Sequence, residues 1–322
     1  MITDGSVVRL MVRLPNWVGD VVMTLPSLQA LHTAGFALHC FGRPWAQDLL
    51  AACPWPVSVA PRGVVSGYQA YRGQRGCRAL LFTNSLGTAM AARWAGLRAI
   101  GYRGDGRSCL LYRSLPRRST GHEVASYWRL AAYAHRVWLP TSPWPVAPPD
   151  TCRLPVAEGH EQQAQAALER AGITSSYVVL VCGAAGTIAD QSKIWPAWTE
   201  FDAALNKRGI CVVACPGPGE EGLFRQRLPY AILLHNVRLG AYAAVLRQAS
   251  MVIANDSGPM HMAAAVQTPT LGVFGVSDPA RTGPRGQAVV GDAHQWPSVE
   301  TVLTAYESMM QKNDDPLASH HG

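Results

Sequence analysis

Residues 251–266 read MVIANDSGPMHMAAAV and contain the strand–turn–helix unit that decides the fold. The first four residues predict a buried strand, a polar turn follows, and the alanine-rich remainder predicts a helix. Ser257 is the predicted N-cap, and Gly258 lets a ligand approach the backbone. The free N–H groups of such a helix start favour anions. We therefore expect an anionic ligand here, on Ser257, Gly258 and His261, rather than an ordinary cap and a core or surface histidine.

The same alternation runs through all 322 residues. Strands are predicted near 7–14, 37–42, 57–60, 79–83, 99–102, 177–182, 210–215, 232–234, 251–254 and 270–274. Helices are predicted near 20–33, 87–95, 122–136, 158–171, 197–207, 220–228, 241–248 and 258–266. This order predicts βαβ units and parallel sheets, and therefore an α/β fold.

A proline-rich segment divides the chain into two halves. Residues 139–155 read LPTSPWPVAPPDTCRLP, which suits a stiff linker better than a helix or an inner strand. We expect two Rossmann-like domains, 1–145 and 155–322, that face each other across a cleft, with the last helix as a candidate for packing back on the first domain. Ligands then bind at the carboxyl ends of both sheets. The tail over 313–322 is predicted to be frayed.

Composition indicates a globular, reduced protein. Hydrophobic residues make up 48% and charged residues 15% of the chain, and the eight cysteines contain no Cys-x-x-Cys pair. We expect these cysteines to be reduced core residues of a cytoplasmic protein. No secretion signal and no apolar run of membrane-spanning length is evident.

Charge is unevenly distributed. Residues 1–150 carry 16 Arg, no Lys and 6 acidic residues, whereas residues 151–322 carry 12 basic and 15 acidic ones. The first half is therefore basic, and it either meets an anionic partner or reflects a general preference for arginine on a solvated face.

Asp20 is the candidate catalytic residue of the first half. It follows the first predicted strand and lies at the start of the first predicted helix. There it either stabilises the helix dipole or serves as a general base that takes a proton from an acceptor hydroxyl.

A second anion site is predicted after the strand near 177–182. Gly183, Gly186 and Thr187 allow backbone N–H groups to close on a phosphate. Lys193 follows, one of three lysines beside 25 arginines, and Pro196 can open a helix. We expect this segment to neutralise a diphosphate, with an ordinary loop and a solvated lysine as the alternative.

Residues 93–118 contain seven arginines and one acidic residue. Glycines break the run into loops, and arginine-rich loops suit phosphate groups. Nucleic acid stays open as a partner, although the aromatic residues form no stacking strip and no nucleic-acid motif is present. The chain also lacks an Asp-x-Asp sequence, a His-Glu-x-x-His sequence and a Walker loop, so we expect no metal ligands.

Several segments, in order along nearly the whole chain, together resemble glycosyltransferase family 9, the ADP-heptose–lipopolysaccharide heptosyltransferases. The segments are PNWVGD ending at Asp20, IGYR at 100–103, LPRR at 115–118, His122-Glu123 with Tyr127, NDSGPMH at 255–261 with the alanines after it, and FGVSDP at 274–279. The heptosyltransferase II branch is the most similar.

This resemblance implies a GT-B type fold and an inverting glycosyltransferase with Asp20 as the base. It implies that the donor is bound by Gly183, Gly186, Thr187, Lys193, Glu221, Asp256, Ser257, Gly258 and His261, with Glu221 near the ribose. Together with the basic loops, it assigns the acceptor to Asn16, Trp17, Arg103, Arg107, Arg117, Arg118 and His122.

The expected reaction is transfer of heptose from ADP-L-glycero-D-manno-heptose to the inner core of lipopolysaccharide. The expected acceptor is a phosphorylated lipid A–Kdo core at the cytoplasmic surface of the inner membrane. We expect a monomer, no nucleic acid and no required cofactor, with Mg²⁺ dependence open. The alternatives are a family 9 transferase that uses another nucleotide sugar or a non-lipid acceptor, such as a protein or a capsule glycan, and a non-catalytic anion-binding protein.

Overall fold

The computed structural model describes residues 7–118, 120–184, 186–188 and 190–314. The chain forms two compact units, Met1–Pro155 and Val156–Gly322, and the division falls at the end of the proline-rich segment. From residue 315 onward, the tail that the sequence predicts to be frayed lies outside the described residues.

The first unit contains one six-stranded sheet in which every neighbouring pair is parallel. Its strands are β1 (Val8–Arg13), β2 (Phe36–Gly42), β3 (Val57–Val59), β4 (Arg78–Leu81), β5 (Arg98–Tyr102) and β6 (Arg113–Leu115). They lie in the order β3-β2-β1-β4-β5-β6. The central strand β1 ends in four buried residues, of which all but Arg13 are apolar, as expected for the middle of a parallel sheet.

The α-helices of this unit are α1 (Val18–Thr33), α2 (Pro44–Leu49), α3 (Val64–Tyr71) and α4 (Leu86–Trp94), which connect strands, and α5 (Glu123–Trp138), which follows β6. Helix α1 packs against α5, and α3 packs against α4. The strand order reverses direction after β3, and right-handed crossovers therefore place the α3–α4 pair on the opposite face of the sheet from α1.

The second unit repeats this plan. Its strands are β7 (Val178–Val181), β8 (Thr187–Ile188), β9 (Gln191–Ser192), β10 (Val212–Ala214), β11 (Ile232–Leu233), β12 (Met251–Asn255), β13 (Thr270–Val273) and β14 (Ala288–Val290). Strands β8 and β9 form a small antiparallel hairpin, and the other six form a parallel sheet in the order β11-β10-β7-β12-β13-β14.

The helices of the second unit are α6 (Glu158–Arg170), α7 (Trp198–Lys207), α8 (Glu221–Arg227), α9 (Leu239–Gln248), α10 (Gly258–Ala265), α11 (Pro279–Thr282) and α12 (Val299–Asp314). The last helix, α12, packs on α7, β13 and β14. Its residues Val302 and Tyr306 are buried in one core with Trp195, Trp198 and Phe201, so α12 completes the core of the second unit.

Both large sheets have the same topological switch point. Successive strands run to one side in the first half of each unit and to the other side in the second half. A ligand crevice is therefore expected at the carboxyl ends of the two central strands, β1 and β4 in the first unit and β7 and β12 in the second. The loops after these four strands are where a ligand site is expected.

The cysteines agree in part with the prediction that they are reduced core residues, since Cys109 is exposed. All eight are unpaired, and five of them are buried. Within the described ranges, no helix is both long and apolar enough to cross a membrane.

Candidate active site

Asp20 lies at the switch point of the first sheet. Strand β1 ends at Arg13, and helix α1 begins at Val18. Asp20 is the acidic residue of the first helical turn, and its side chain is half-buried. Trp17 occupies the N-cap position without a capping side-chain hydrogen bond. The local sequence therefore places a carboxylate at the carboxyl end of the central strand.

Tyr127 holds this carboxylate from the neighbouring helix. Its phenol on α5 donates a hydrogen bond of 3.0 Å to Oδ1 of Asp20. The Tyr127 ring is buried and stands edge-on to Phe82, the residue that follows β4, with ring centroids 5.4 Å apart. Burial raises the pKa of Tyr127 well above its ordinary value, and the negative charges of Asp20 and Glu123 raise it further. The phenol therefore stays protonated and remains a donor.

A second polar pair lies one helical turn away. Glu123 is the first residue of α5 and is buried, and it accepts a hydrogen bond of 2.6 Å from Arg117. Burial alone would lower the pKa of Arg117, but the hydrogen bond and charge of Glu123 outweigh burial and raise it. Arg117 is thus a fixed cation on an otherwise exposed loop.

The other predicted acceptor residues lie in loops at the carboxyl ends of the strands of the same sheet, which we call the carboxyl edge of this sheet. Asn16 and Trp17 follow β1, Arg103 follows β5, and Arg118 follows β6; all four are exposed. Asn16 accepts a hydrogen bond of 2.8 Å from the buried Arg13. From β1 to β6 the sheet steps across three strand spacings, which is about 14 Å. This edge is therefore wide enough for several sugar units.

His122 has a local structural role at this edge. It is the N-cap of α5, and its Nδ1 accepts a hydrogen bond of 3.1 Å from the backbone N–H of Val124. The imidazole therefore satisfies one of the free donors at the helix start and is half-buried.

Arg107 does not fit the predicted acceptor contact. Its side chain is fully buried. Its guanidinium donates 2.6 Å hydrogen bonds to the carbonyl of Thr83 and to Oδ1 of Asn84, and it also bonds the carbonyl of Tyr102. Burial lowers the pKa of Arg107. Because the fork of the guanidinium ties together the ends of β4 and β5, we correct this prediction: Arg107 supports the edge and does not face a ligand.

In the second unit, Lys193 and Asp256 form an ion pair. The Nζ of Lys193 lies 2.7 Å from Oδ2 of Asp256, and the two side chains are 18% and 7% exposed. The β8–β9 hairpin leads the chain from the end of β7 to Lys193, and Asp256 directly follows β12. Two predicted donor-binding residues from distant segments therefore meet at the switch point of the second sheet.

Asn255, the last residue of β12, holds the segment after Lys193 close to the end of β12. Its fully buried Oδ1 accepts hydrogen bonds from the backbone N–H of Trp195, at 3.0 Å, and from Nε1 of Trp198, at 3.2 Å. Nε1 of Trp195 donates to the carbonyl of Pro297. The tryptophan pair thus clamps the segment after Lys193 to the end of β12.

Helix α10 begins at Gly258, where the sequence predicts it, but without the predicted side-chain cap. Ser257 is the N-cap residue, but its side chain makes no capping hydrogen bond, which corrects the predicted role. Its Oγ, and Nδ2 of Asn255, are buried without a hydrogen-bond partner among the described residues. Gly258 is the first helical residue, and His261 is buried one turn later.

The glycine loop after β7 is closely covered. A Cβ on Gly183 would lie 3.2 Å from the ring of Phe224 and 3.4 Å from Oε1 of Glu220, so a larger residue would displace its neighbours. Gly186 has a φ of +82°, a conformation that favours glycine. Thr187, in β8, is exposed and pairs with Ser192 across the hairpin.

Glu220 and Glu221 have different surroundings. Glu220 is partly buried, and its Oε2 accepts a hydrogen bond of 2.9 Å from the N–H of Gly217 in the loop after β10. Glu221 is exposed, and its carboxylate lies 3.4 Å from Arg225 and 3.5 Å from His235. The acidic side chain at the carboxyl edge of the sheet is therefore that of Glu220, one residue before the predicted Glu221.

Sequence reasoning did not assign Tyr127, Asn255 and Glu220 to the site. No spacing rule links Tyr127 to Asp20, because their contact depends on the packing of α1 against α5. Asn255 was visible in the polar turn after the strand. Within the described residues, no cluster of three or more His, Cys, Asp or Glu side chains has the arrangement of a metal site.

Comparison with known proteins agrees with this architecture. The family model described as glycosyltransferase family 9 (heptosyltransferase) matches residues 68–305. Lipopolysaccharide heptosyltransferase 3 of Escherichia coli is 33% identical over 122 residues, which is 34% of either chain. Lipopolysaccharide heptosyltransferase 1 of Pseudomonas aeruginosa is 34% identical over 105 residues, 31% of this chain and 30% of that one. This chain therefore spans about a third of the length of the curated relatives that it matches.

Solved structures match over nearly the whole length. The E. coli ADP-heptose lps heptosyltransferase II has a TM-score of 0.75 at 21% identity, covering 95% of this chain and all of that one. A family 9 glycosyltransferase of Veillonella parvula has a TM-score of 0.79 at 18% identity, covering 94% and 97%. At such identities the likeness shows the fold, and it confirms the predicted α/β, GT-B type architecture. Since the family model matches nearly three quarters of its residues, the chain belongs to glycosyltransferase family 9 (heptosyltransferase).

Proposed function

We propose that this chain transfers heptose from ADP-L-glycero-D-manno-heptose to the inner core of lipopolysaccharide, with inversion at the anomeric carbon. The observation that carries the proposal is the carboxylate of Asp20 at the switch point of the first sheet, held there by the phenol of Tyr127. Membership of family 9 and the names of the curated relatives support the reaction class.

In this proposal Asp20 is the general base. It takes the proton of an acceptor hydroxyl as that oxygen attacks the anomeric carbon and the bond to the diphosphate breaks. A single displacement of this kind inverts the anomeric centre. The hydrogen bond from Tyr127 keeps the carboxylate in one orientation, which contributes to catalysis through positioning.

The second unit holds the donor in this proposal. Lys193 brings a cation to the switch point, and the Asp256 carboxylate fixes its ammonium group in place. The free N–H groups at the start of α10 and the loop at Gly183, Gly186 and Thr187 surround the diphosphate. As the sugar departs, these groups stabilise the charge that develops on the ADP. In this proposal His261 contacts the donor from the buried side of α10.

ADP is the proposed nucleotide because of the names of matched structures. E. coli heptosyltransferase WaaC, matched at a TM-score of 0.71 and 21% identity, is described with ADP. Another structure of the same protein is described with ADP-2-deoxy-2-fluoro heptose. We assign the ribose contact to Glu220 in place of Glu221, because Glu220 lies between the loops after β7 and β10.

The basic first unit is proposed to receive the acceptor. Arg103, Arg117 and Arg118 offer guanidinium groups at the edge that carries Asp20, where they can bind the phosphates of a lipid A–Kdo core. Asn16, Trp17 and His122 then line the sugar path. This proposal places the protein at the cytoplasmic surface of the inner membrane, as a monomer that needs neither a bound metal nor nucleic acid.

A thermal-shift series tests the donor assignment. ADP and ADP-heptose are compared with UDP and GDP on the wild type, on Lys193→Ala and on Lys207→Ala, whose lysine is exposed on α7. We expect stabilisation by the adenosine ligands alone, lost in Lys193→Ala and kept in Lys207→Ala. Equal shifts with UDP or GDP would overturn the donor class, and no shift with any nucleotide would overturn the transferase assignment.

A further inference from the structure

Helices α3 and α4 expose an unusual number of large apolar side chains. Val65 and Tyr68 on α3 are 63% and 36% exposed, and Leu86 and Trp94 on α4 are 42% and 58% exposed. Single exposed apolar residues are ordinary on a protein surface, but a cluster on two short neighbouring helices indicates an interaction site.

The two helices present these side chains on one surface. A Cβ on Gly67 of α3 would lie 3.0 Å from Ala91 of α4, and one on Gly87 of α4 would lie 3.3 Å from Val64 of α3. The small residues therefore face the neighbouring helix and allow close packing. Val65 and Tyr68 lie at helical spacing on the outer side of α3, and Arg72 directly follows that helix. Leu86, Arg93 and Trp94 recur at helical spacing on α4. We call these six side chains the α3–α4 face.

The segment that forms this face is uniformly basic. Between Asp48 and Asp105 the sequence contains seven arginines, no lysine and no acidic residue. Six of these arginines are exposed: Arg62, Arg72, Arg75, Arg93, Arg98 and Arg103. The chain thus places cations around the exposed apolar side chains without a carboxylate from the same segment to neutralise them.

We propose that the α3–α4 face docks on an anionic lipid membrane. Apolar and aromatic side chains beside arginines suit the boundary between headgroups and acyl chains, where the apolar groups leave water and the guanidinium groups bind lipid phosphates. Nucleic acid fits less well, since Val65 and Leu86 have no π-face on which a base could stack. The inference rests on this surface alone and does not depend on the proposed sugar transfer.

Co-sedimentation with vesicles tests it, using the full chain without donor or acceptor. Vesicles of phosphatidylcholine alone are compared with vesicles that also contain phosphatidylglycerol. The variant is the double exchange Leu86→Ser and Trp94→Ser, and the control is Tyr230→Ser, an aromatic residue of the second unit that is 55% exposed. Because both changes remove exposed side chains, the fold should survive, and an unchanged melting temperature verifies this.

We expect the wild type and the control to bind the anionic vesicles, with binding that weakens as salt is added. The binding of the double variant to anionic vesicles should be weaker by a factor of about ten or more. Equal binding by the double variant would overturn the assignment of this face, and so would absent binding by the wild type. Binding of a single-stranded oligonucleotide that is lost in the double variant, with no vesicle binding, would assign the face to nucleic acid instead. Loss of sugar transfer with intact vesicle binding would contradict the proposed function and leave this inference standing.

Discussion

The phenol of Tyr127 donates a hydrogen bond to the carboxylate of Asp20 across 107 residues of sequence. Asp20 lies in the first turn of α1, and Tyr127 lies one turn into α5. The two helices pack against each other. The packing of one helix pair therefore sets the orientation of the proposed base. Tyr127 is in this account a positioning residue for Asp20.

Exchange of Tyr127 for Phe should lower kcat about 10- to 100-fold, because a hydrogen bond to a charged group contributes about 1.5–3 kcal/mol. The ionised carboxylate loses a donor, so the acidic limb of the rate–pH profile should move to higher pH. Steady-state rates over a range of pH measure both effects. Tyr133→Phe on the same helix is the matched control and should leave the profile unchanged. A fall in rate with no movement of the limb would argue against positioning of Asp20.

Exchanges of the two adjacent acidic residues of the second unit, Glu220 and Glu221, should differ in their effect on nucleotide binding. Glu220→Gln should weaken ADP binding about tenfold, because the Glu220 carboxylate lies between the loops after β7 and β10. Glu221→Gln should have little effect, since its exposed ion pairs contribute little. Titration calorimetry with ADP compares the two variants, and the reverse order of effects would restore Glu221 as the ribose contact.

Arg107 should matter for folding more than for acceptor binding. Arg107→Lys keeps a buried charge but loses the fork that bonds Thr83, Asn84 and Tyr102, so the free energy of unfolding should fall by about 2–3 kcal/mol. Arg103→Lys, at an exposed position, should change it by less than about 0.5 kcal/mol. Denaturant unfolding measures both variants. A stable Arg107→Lys protein with a raised KM for the acceptor would reinstate the original prediction.

His39 should make the stability of the first unit depend on pH. Its ring nitrogens bond Ser58 and Gln74, and burial together with the charge of Arg9 lowers its pKa below the ordinary 6.5. The unfolded chain therefore takes up this proton more readily than the folded chain. The contribution of His39 is complete above pH 6.5 and is lost as the pH falls below that value.

The comparison of wild type with His39→Gln isolates this effect from other titrating groups. The wild type should lose its advantage in free energy of unfolding as the pH falls through the acid range, measured by denaturant unfolding at several pH values. A difference between the two proteins that stays constant with pH would show that His39 does not titrate with folding.

Much of the architecture could be predicted because the central strands are continuous apolar runs. The run at residues 7–14 and the run at 251–254 are inner strands in the structure, and polar turns follow each of them. Their positions in the sheets made Asp20 and the Asp256 turn visible as site candidates. The edge strands β6 and β14 were missed, whereas β3 and β11, which are no longer than these, were predicted; runs of two or three residues therefore give an uneven signal.

Side-chain partners were less accessible from the sequence. Arg107 stands in an arginine-rich loop and gives no sign of its burial, which depends on carbonyls at the ends of β4 and β5. Ser257 has the residue type and position of a cap, yet its hydroxyl makes no capping bond. In both cases the tertiary surroundings, which the local pattern does not contain, decide the role.

The most direct test of the central claim is heptose transfer itself, followed as ADP release from ADP-heptose with a lipid A–Kdo acceptor, for wild type and Asp20→Asn. The account predicts turnover by the wild type and a loss of about 100-fold or more in kcat for the variant, because the amide cannot accept the proton. ADP should stabilise both proteins equally, which shows that the donor unit is intact. Turnover by Asp20→Asn at the wild-type rate would contradict the assignment of Asp20 as the base.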